Sequence, residues 1–388
     1  MSDVVERAKR LLSIPSLSGE EEKVALQIKK EMEEAGFDEV RIDRYGSVIG
    51  IVNGKRKGKT VLMDGHIDTV PVKNREGWKH DPYGCEIEDG KLYARGASDM
   101  KASVAAMLTA LISLSKDRDF AGRAALSCTV HEECFEGVSS RIVSEYVKPD
   151  AVIIGEATSG TVKIGQRGRS EIVVETFGKS CHSSNPEKGV NAVLQMLKLV
   201  KMIEERKTPV SPLLGEGIMV LTDIISSPYP GSSVVPDYAK ATYDRRLLVG
   251  ESEESVLGEI EGYIEVLKSK DPTFDAKVYI SEGRERCYTG EIISAKRFFP
   301  AWETDKDSPL VKKAVEALEE CGLPHRLDHY FFCTNGSHFS AEAKIPTIGY
   351  GPSLETLAHV KDEYIELEEL NRCTRGFEAI LRKLLNDY

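Results

Sequence analysis

Histidine and acidic residues stand at the ends of apolar segments in this sequence, where they could bind a metal. The segment VLMDGHIDTVP (61–71) is an apolar strand pattern that ends in His66 and Asp68. Residues two apart on a strand face the same way, so Asp68 can orient the His66 imidazole as carboxylates do for metal-ligating histidines. Taken alone, the H-x-D pattern is more often a structural histidine at a strand end than a pair of ligands.

Three carboxylates follow two other segments of the chain. Asp99 lies in a glycine-rich turn that opens a helix pattern near Lys101, where an aspartate is usually an N-cap. Glu132 and Glu133 come at the end of the apolar strand pattern 123–131. Adjacent residues of an extended chain point in opposite directions, so one can bind a metal while the other faces another part of a cleft. Acidic pairs are usually solvated, but the apolar strand that leads into this one favours a site.

Two further residues complete a ligand set. Glu156 follows the strand pattern 152–154, and His359 lies between a strand and the last helix in GYGPSLETLAHVKDEY. Loops at the carboxyl ends of strands are where an open α/β sheet places its site. Two imidazoles and three carboxylates neutralise most of two divalent ions, and ligands without thiolate suit zinc, with manganese or cobalt as substitutes. One carboxylate then remains as a base for a metal-activated water.

The elements that must position these residues alternate between helix and strand. The N-terminal pattern predicts a helix that ends before Pro15, and Ser18 with Glu21 predicts a capping box for a second helix ending near Gly36. The other predicted elements of this part are strands at 44–52, 60–67, 123–131 and 151–154 and helices from Lys101 and after Gly137. This order predicts an α/β fold with a helix-covered sheet.

The pattern changes after Gly168. Residues 171–289 predict the β-α-β-β-α-β order of a ferredoxin-like domain, with strands at 171–177, 217–225, 239–248 and 275–280 and helices at 189–204 and 253–268. A helix near 308–321, a strand at 346–350 and a closing helix from about 366 then follow. We therefore expect a catalytic domain of residues 1–168 and 290–388, interrupted by a smaller inserted domain of residues 169–289.

Composition excludes several classes of partner. The 388 residues carry a net charge of −11, which disfavours binding to nucleic acid or to anionic membranes. No apolar run is long enough to cross a membrane, and the opening MSDVVERAKR carries charges where a signal peptide needs an apolar core. Eight cysteines without any C-x-x-C pair argue against a disulfide framework and a zinc ribbon. We expect a cytoplasmic protein with a small-molecule or peptide substrate.

The order of these segments resembles the di-zinc metallopeptidase and deacylase family of aminoacylase, acetylornithine deacetylase, succinyl-diaminopimelate desuccinylase and glutamate carboxypeptidase. The resemblance covers essentially the whole chain. Within the family the chain is similar to a branch named selenium-metabolism hydrolases. That similarity lies in GQRGRSEI (165–172), SCHSSNPEKGVNA (180–192), DRRL (244–247), CTNGSHF (333–339) and GYGPSLETLAH (349–359).

The resemblance implies a metal-binding role for five residues. Asp99 would bridge two metal ions, His66 and Glu156 would complete one site, and Glu133 and His359 would complete the other. A glutamate rather than an aspartate at position 156 is similar to the deacylase side of the family.

The resemblance also implies roles outside the ligand set. Glu132 would be the general base and Asp68 would hold His66. The inserted domain would be a lid and dimerisation domain, in which His182 reaches the partner's site and stabilises the oxyanion. Cys181 beside it raises the alternative of a thiol nucleophile, although neighbouring residues seldom have the needed geometry. Arg246 would bind the substrate carboxylate, the alternative being an ordinary ion pair.

One departure from the family affects the substrate. Thr334-Asn335-Gly336 stands where many relatives have an aspartate near the substrate, so Asn335 and Gly336 are candidate substrate-binding residues. We expect a metal-dependent amidohydrolase or deacylase acting on a small N-acyl or N-carbamoyl amino acid or diamine. The alternatives are a dipeptidase or exopeptidase of the same family and a catalytically silent homologue that acts as a binding protein.

Overall fold

The computed structural model describes residues 2–388, which form two compact units. The first unit contains the chain up to Gln166 together with Arg284–Ala295 and Trp302–Tyr388, and the second contains Arg167–Gly283 and Lys296–Ala301. No helix within the described residues has the length and apolar character needed to cross a bilayer. The lid and dimerisation roles expected of the inserted segment remain predictions.

The elements are named in chain order. The helices are α1 (Asp3–Leu12), α2 (Glu22–Glu34), α3 (Lys101–Lys116), α4 (Ser140–Val147), α5 (Ala192–Glu204), α6 (Glu253–Lys270), α7 (Pro309–Glu320) and α8 (Leu367–Asp387). The strands are β1 (Glu39–Ile42), β2 (Val48–Asn53), β3 (Arg56–His66), β4 (Glu86–Glu88), β5 (Lys91–Tyr93), β6 (Ala121–Thr129), β7 (Ala151–Ile154), β8 (Val162–Gln166), β9 (Gly168–Phe177), β10 (Val210–Ser211), β11 (Gly215–Glu216), β12 (Ile218–Ser227), β13 (Tyr238–Leu247), β14 (Asp275–Ile280), β15 (Glu282–Arg286), β16 (Ile292–Lys296), β17 (Phe298–Phe299), β18 (Trp302–Glu303), β19 (Leu327–Tyr330), β20 (Thr347–Gly349) and β21 (Tyr364–Glu366).

A mixed sheet forms the centre of the first unit. Its strands follow the order β1-β2-β6-β3-β7-β20-β8-β18, with β19 also paired to β8. The four central strands β6, β3, β7 and β20 are parallel, so their carboxyl ends lie at one edge. Helices α3 and α8 contact β3, and α4 contacts β6. The predicted α/β class with a helix-covered mixed sheet is confirmed.

The second unit has the predicted ferredoxin-like order. Strand β9 is followed by α5, β12, β13, α6 and β14, and the sheet order is β12-β13-β9-β14 with β17 added beside β9. Strand β13 alternates buried and half-buried residues along its whole length. Its buried residues, among them Tyr243, pack with α5 and α6 around Met196 and Ile260 in one apolar core. The other face of β13 is left partly exposed.

The predicted capping box before α2 is wrong. Helix α2 begins at Glu22, its N-cap residue is Glu21, and no side chain caps it. Ser18 instead donates its hydroxyl to Asp68 Oδ2 at 2.7 Å, and Glu21 Oε1 accepts the His131 backbone N–H at 3.3 Å. Both side chains support the loops that follow β3 and β6, because buried polar groups in those loops need partners.

The strand predicted at 44–52 is shorter in the structure, where residues 48–53 form β2. Two strands, β1 and β2, form a hairpin across this region. The carboxylate of Asp43 accepts hydrogen bonds from the backbone N–H groups of Tyr45, Gly46 and Ser47, which fixes the turn between them. Strand β1 was not predicted because it has only four residues, EVRI, and two of them are charged.

Candidate metal centre

The predicted ligands lie where neighbouring parallel strands of the first unit end. His66 is the last residue of β3, Glu133 follows β6, and Glu156 follows β7. Because β6 and β7 flank β3 in the sheet, the residues after them come to one edge. Asp99 belongs to the loop before α3, and His359 to the loop between β20 and α8.

Close packing of α3 on the sheet sets the position of Asp99. A Cβ at Gly65 would come within 2.6 Å of Met100 Cε and 2.7 Å of Met107 Cε. A Cβ at Gly155 would also meet Met107 Cε, at 2.5 Å. A side chain at either glycine would push α3 outward, and the loop that carries Asp99 would move with it.

Asp99 offers one oxygen to each histidine. Its Oδ1 lies 2.8 Å from His66 Nε2, and its Oδ2 lies 3.1 Å from His359 Nε2. Glu156 Oε1 lies 3.4 Å from His66 Nε2, while Glu133 Oε2 lies 3.0 Å from His359 Nε2. The five residues therefore form two sets that share Asp99. This grouping is the one that the family resemblance implies, and ligation itself remains a prediction.

Asp68 holds several parts of the centre together. The Nδ1 atom of His66 lies 2.9 Å from the Asp68 backbone carbonyl and 3.5 Å from its carboxylate. The carboxylate accepts the backbone N–H groups of Glu132 at 3.0 Å and Glu133 at 3.2 Å. A hydrogen bond from Nδ1–H to this carbonyl leaves His66 Nε2 free to bind a metal. Asp68 thus orients the imidazole mainly through its backbone, while its carboxylate positions the glutamate pair.

The charges of the centre are poorly balanced by the protein alone. Burial and the nearby Asp99 raise the pKa of Glu133 to about 7. Burial also raises the pKa of Glu156 to about 7, with Asp99 adding to the shift and His66 opposing it. Hydrogen bonds with Asp99 and Glu133 raise the pKa of His359 to about 10. Crowded buried carboxylates of this kind favour a bound cation.

The donor atoms fit divalent metal ions. Oε1 of Glu132 and Oε2 of Glu156 are buried without a hydrogen-bond partner, which is unusual unless an ion or water satisfies them. Ligand atoms lie within 4.8 Å of one another in two groups, one of His66, Asp99 and Glu133 and one of His66, Glu132 and Glu156. Imidazole and carboxylate donors suit zinc, manganese or cobalt. Glu132 belongs to one group, so its position suits either a ligand or a base.

A buried glutamate that the sequence analysis did not single out holds the Asp99 loop. Glu363 is 0% exposed, and its Oε1 accepts the backbone N–H groups of Ser98 at 2.7 Å and Asp99 at 3.0 Å. Its Oε2 lies 2.5 Å from Arg95 Nη1. Glu363 therefore fixes the turn that presents Asp99. Its partner Arg95 lies 268 residues away in the sequence, so no local pattern could have indicated the contact.

Two candidate residues belong to the second unit. His182 is exposed, and its Nδ1 accepts the Ser184 backbone N–H at 3.1 Å. An imidazole that accepts a hydrogen bond at Nδ1 carries its proton on Nε2. Arg246 lies on the partly exposed face of β13, with its Nε 2.8 Å from Asp244 Oδ1. This is the ion pair that the sequence analysis weighed as the alternative to substrate binding.

Asn335 lies in the core of the first unit. It is 2% exposed, and its Oδ1 accepts the Gly137 backbone N–H at 2.7 Å. Its Nδ2 donates to Asp64 Oδ2 at 2.8 Å and to Thr129 Oγ1 at 2.9 Å. Both amide hydrogens therefore bind the protein, and a substrate would have to compete for them.

Gly336 is next to Asn335 and has a packing role. A Cβ at this position would clash with the indole Nε1 of Trp302. The position needs glycine because the buried indole approaches the backbone. The structure thus gives Asn335 and Gly336 structural contacts, and their proposed contact with a substrate rests on the resemblance.

Imidazoles and carboxylates gathered at the carboxyl edge of an α/β sheet are a donor set typical of metal-dependent hydrolases. Residues 62–383 match the model of peptidase family M20/M25/M40, and the chain belongs to this family. It is therefore a member of a family of hydrolases that act on amide and peptide bonds. The family predicted from the sequence is confirmed.

Relatives and solved structures align along the whole chain. The chain is 33% identical to the protein YgeY of Escherichia coli K12, described as uncharacterized, over 98% of this chain and 94% of that one. It is 27% identical to succinyl-diaminopimelate desuccinylase 2 of Ruegeria sp. TM1040, over 100% and 95%. The YXEP protein of Bacillus subtilis, described as a dinuclear metal binding peptidase from the M20 family, matches with a TM-score of 0.74 and 14% identity, over 98% and 97%. The match to the Bacillus subtilis protein shows similarity of fold alone.

Proposed function

We propose that this protein hydrolyses the amide bond of a small N-acyl or N-carbamoyl amino acid or diamine. The observation that supports this most is the pair of imidazole and carboxylate sets that share Asp99. The Ruegeria relative, which is named a desuccinylase, aligns over the full chain and supports a deacylase activity. Hydrolysis of a dipeptide is the alternative, since it needs the same centre and differs only in the acyl side of the substrate.

Two divalent ions, with zinc first and cobalt or manganese as substitutes, belong to this proposal. His66 and Glu156 would hold one ion, His359 and Glu133 the other, and Asp99 both. When bound, such ions supply Lewis acidity that polarises a carbonyl and lowers the pKa of a water. The description of the Bacillus subtilis protein as a dinuclear metal binding peptidase supports two ions rather than one.

Glu132 is the proposed general base. It would take a proton from the attacking water and return it to the leaving nitrogen. Burial raises the pKa of Glu132 well above its ordinary value, and Glu156 and Glu133 add to the shift against the opposing effect of His66. A carboxyl group with a raised pKa is suited to moving a proton in both directions near neutral pH.

Two residues of the second unit complete the proposal. His182 would donate its Nε2–H to the oxyanion in the site of a second copy of the chain, and its tautomer supports this role. Arg246 would bind a substrate carboxylate through its planar guanidinium. Its present partner, Asp244, also lies 3.1 Å from Arg169 Nε, so this carboxylate is shared between two guanidinium groups.

The proposed activity is tested by removing and restoring the metal. Protein treated with a chelator is expected to lose all amine release, and zinc, manganese or cobalt added separately is expected to restore it. The substrate panel should hold one amino acid constant and vary the acyl part among acetyl, succinyl, carbamoyl and aminoacyl groups. Release that is fastest from a dipeptide would favour the alternative, and full metal loading without release from any member would contradict the proposal.

We also propose a homodimer through the second unit, and light scattering tests it. Strand β12 is an edge strand whose Ile218, Val220, Ile224 and Ile225 are exposed, and an exposed apolar edge strand is a site for pairing with another chain. The expected mass is twice 42.9 kDa. The double variant V220E/I224E should give the monomer mass, whereas the control I292E, at an exposed apolar position of the first unit, should not. A wild-type protein that is monomeric at working concentration would contradict the dimer.

The cytoplasm is the proposed location. All eight cysteines are free thiols in the structure, which is typical of proteins in a reducing compartment. A cytoplasmic location also agrees with a substrate that is a small metabolite.

A further inference from the structure

Residues 16–21, which we call the brace segment, precede α2 and bond to two loops of the metal centre. Ser16 makes the bonds to the loop after β3. Its carbonyl accepts the Thr69 backbone N–H at 2.8 Å, and its hydroxyl donates to the Ile67 carbonyl at 2.7 Å. Ile67 and Thr69 flank Asp68 in the sequence, so the brace segment is fixed on both sides of this residue.

Glu21, at the end of the brace segment, reaches the loop after β6. The residue is 0% exposed, and its Oε1 accepts the His131 backbone N–H at 3.3 Å. The next two N–H groups of the loop, those of Glu132 and Glu133, donate to the Asp68 carboxylate at 3.0 and 3.2 Å. Three successive N–H groups therefore end on two carboxyl groups from two other parts of the chain. These bonds fix the backbone from which the proposed base extends.

The backbone of His131 needs such support. Its φ is 57°, in the left-handed region that a residue with a Cβ seldom adopts and that persists only when the surrounding structure holds it. A Cβ at Gly19 would lie 2.9 Å from the Arg286 carbonyl oxygen and 3.6 Å from His131 Cε1, so the brace segment also packs on the imidazole. Without the acceptor on Glu21, His131 can relax toward an ordinary φ, which would redirect the backbone that leads to Glu132.

The carboxyl group of Glu21 can hold this N–H as a neutral acid. Burial raises the pKa of Glu21 to about 8, and the nearby Asp68 adds to the shift, so the group is mostly protonated at neutral pH. Two carboxyl groups lie close together in a buried place more easily when one of them is neutral. A glutamine at position 21 therefore keeps both the charge state and the acceptor, whereas a methionine keeps only the length of the side chain.

We propose that Glu21 is a positioning residue for the general base and that it acts through the backbone of His131. The inference rests on the proposed hydrolase function and on Glu132 as its base. Because Glu21 acts through the loop and not on the reacting atoms, its loss should lower kcat. The Asp68 carboxylate still holds the Glu133 N–H, so KM and metal content should stay those of the wild type.

The test compares E21M with E21Q in the zinc-loaded holoenzyme. E21M should lower kcat per metal-loaded site by roughly one to two orders of magnitude, as a small displacement of a catalytic group does, and its KM should not change. E21Q should have the wild-type kcat because it keeps the acceptor. The control E20M, at the exposed neighbouring residue Glu20, should match the wild type. If Glu21 contributed to stability alone, E21M would unfold at a lower temperature with wild-type kcat per loaded site, and the inference would be overturned.

Hydrogen exchange tests the same contact without turnover, so it separates this inference from the hydrolase proposal. Deuterium uptake by the backbone N–H groups of residues 131–133 is followed by mass spectrometry in the zinc-loaded proteins. Uptake should be faster in E21M than in the wild type and unchanged in E21Q, whether or not any panel substrate is hydrolysed. If E21M does not fold, E21D, which withdraws the carboxyl group by one methylene, replaces it in both measurements. Equal uptake in the variant and the wild type would overturn the positioning role and leave the hydrolase proposal standing.

Discussion

Replacing Glu132 by glutamine is expected to lower kcat about 10³-fold while the metal content stays that of the wild type. Glu132 is 5% exposed and lies among the proposed ligands. Glutamine keeps its shape but cannot accept a proton, so only the proton transfer is removed. The measurements are kcat on the best panel substrate and metal content by atomic emission.

The contrast with Glu133 makes this prediction specific. Glu133→Gln should lose metal, because Glu133 Oε2 lies 3.0 Å from His359 Nε2 in the proposed second set. Should Glu132→Gln lose metal instead, Glu132 would be a ligand and the base would have to be another group. Should Glu132→Gln retain both metal and wild-type kcat, the proposed mechanism would be wrong.

The Glu132→Gln variant is expected to fold, so unfolding would not account for its lower kcat. Oε1 of Glu132 is buried without a hydrogen-bond partner, and burial raises its pKa well above the ordinary value. A neutral amide avoids the free-energy cost of a buried carboxylate beside Glu156 and Glu133. The midpoint of thermal unfolding of Glu132→Gln should therefore be at least that of the wild type.

The positions of the five proposed ligands follow from the sequence because each stands beside an element of regular structure. Apolar runs predict strands, and parallel strands bring the residues after them to one edge of a sheet. His66, Glu133 and Glu156 needed only this rule to be placed together. The α/β fold and the family, both confirmed, come from the same segments.

The supporting contacts could not be predicted because they join loops that are distant in sequence. Ser18 and Glu21 have the spacing of a capping box, yet both side chains turn to the loops beyond β3 and β6. The amide of Asn335 bonds to Asp64, 271 residues away. A pattern of nearby residues carries no information on such partners, which depend on the packing of the whole unit.

Removal of the Glu363 side chain is expected to weaken both folding and metal binding. In Glu363→Ala the Arg95 guanidinium loses its carboxylate, and the N–H groups of Ser98 and Asp99 lose their acceptor. Breaking a buried ion pair on one side lowers the free energy of unfolding by about 3–5 kcal/mol. Urea unfolding of the metal-free protein measures this effect separately from metal binding.

A milder change at the same position separates metal positioning from folding. Glu363→Gln loses the charge opposite Arg95 but keeps an acceptor for the two N–H groups, so it should be destabilised less than Glu363→Ala. Its zinc affinity, measured by competition with a chelating indicator, should fall roughly tenfold, as when partners of metal ligands are replaced. The control is Glu33→Ala, at an exposed residue whose carboxylate pairs with Lys29 on the surface of α2, and it should change neither quantity. Wild-type zinc affinity in Glu363→Gln and wild-type stability in Glu363→Ala would together show that Asp99 is positioned without Glu363.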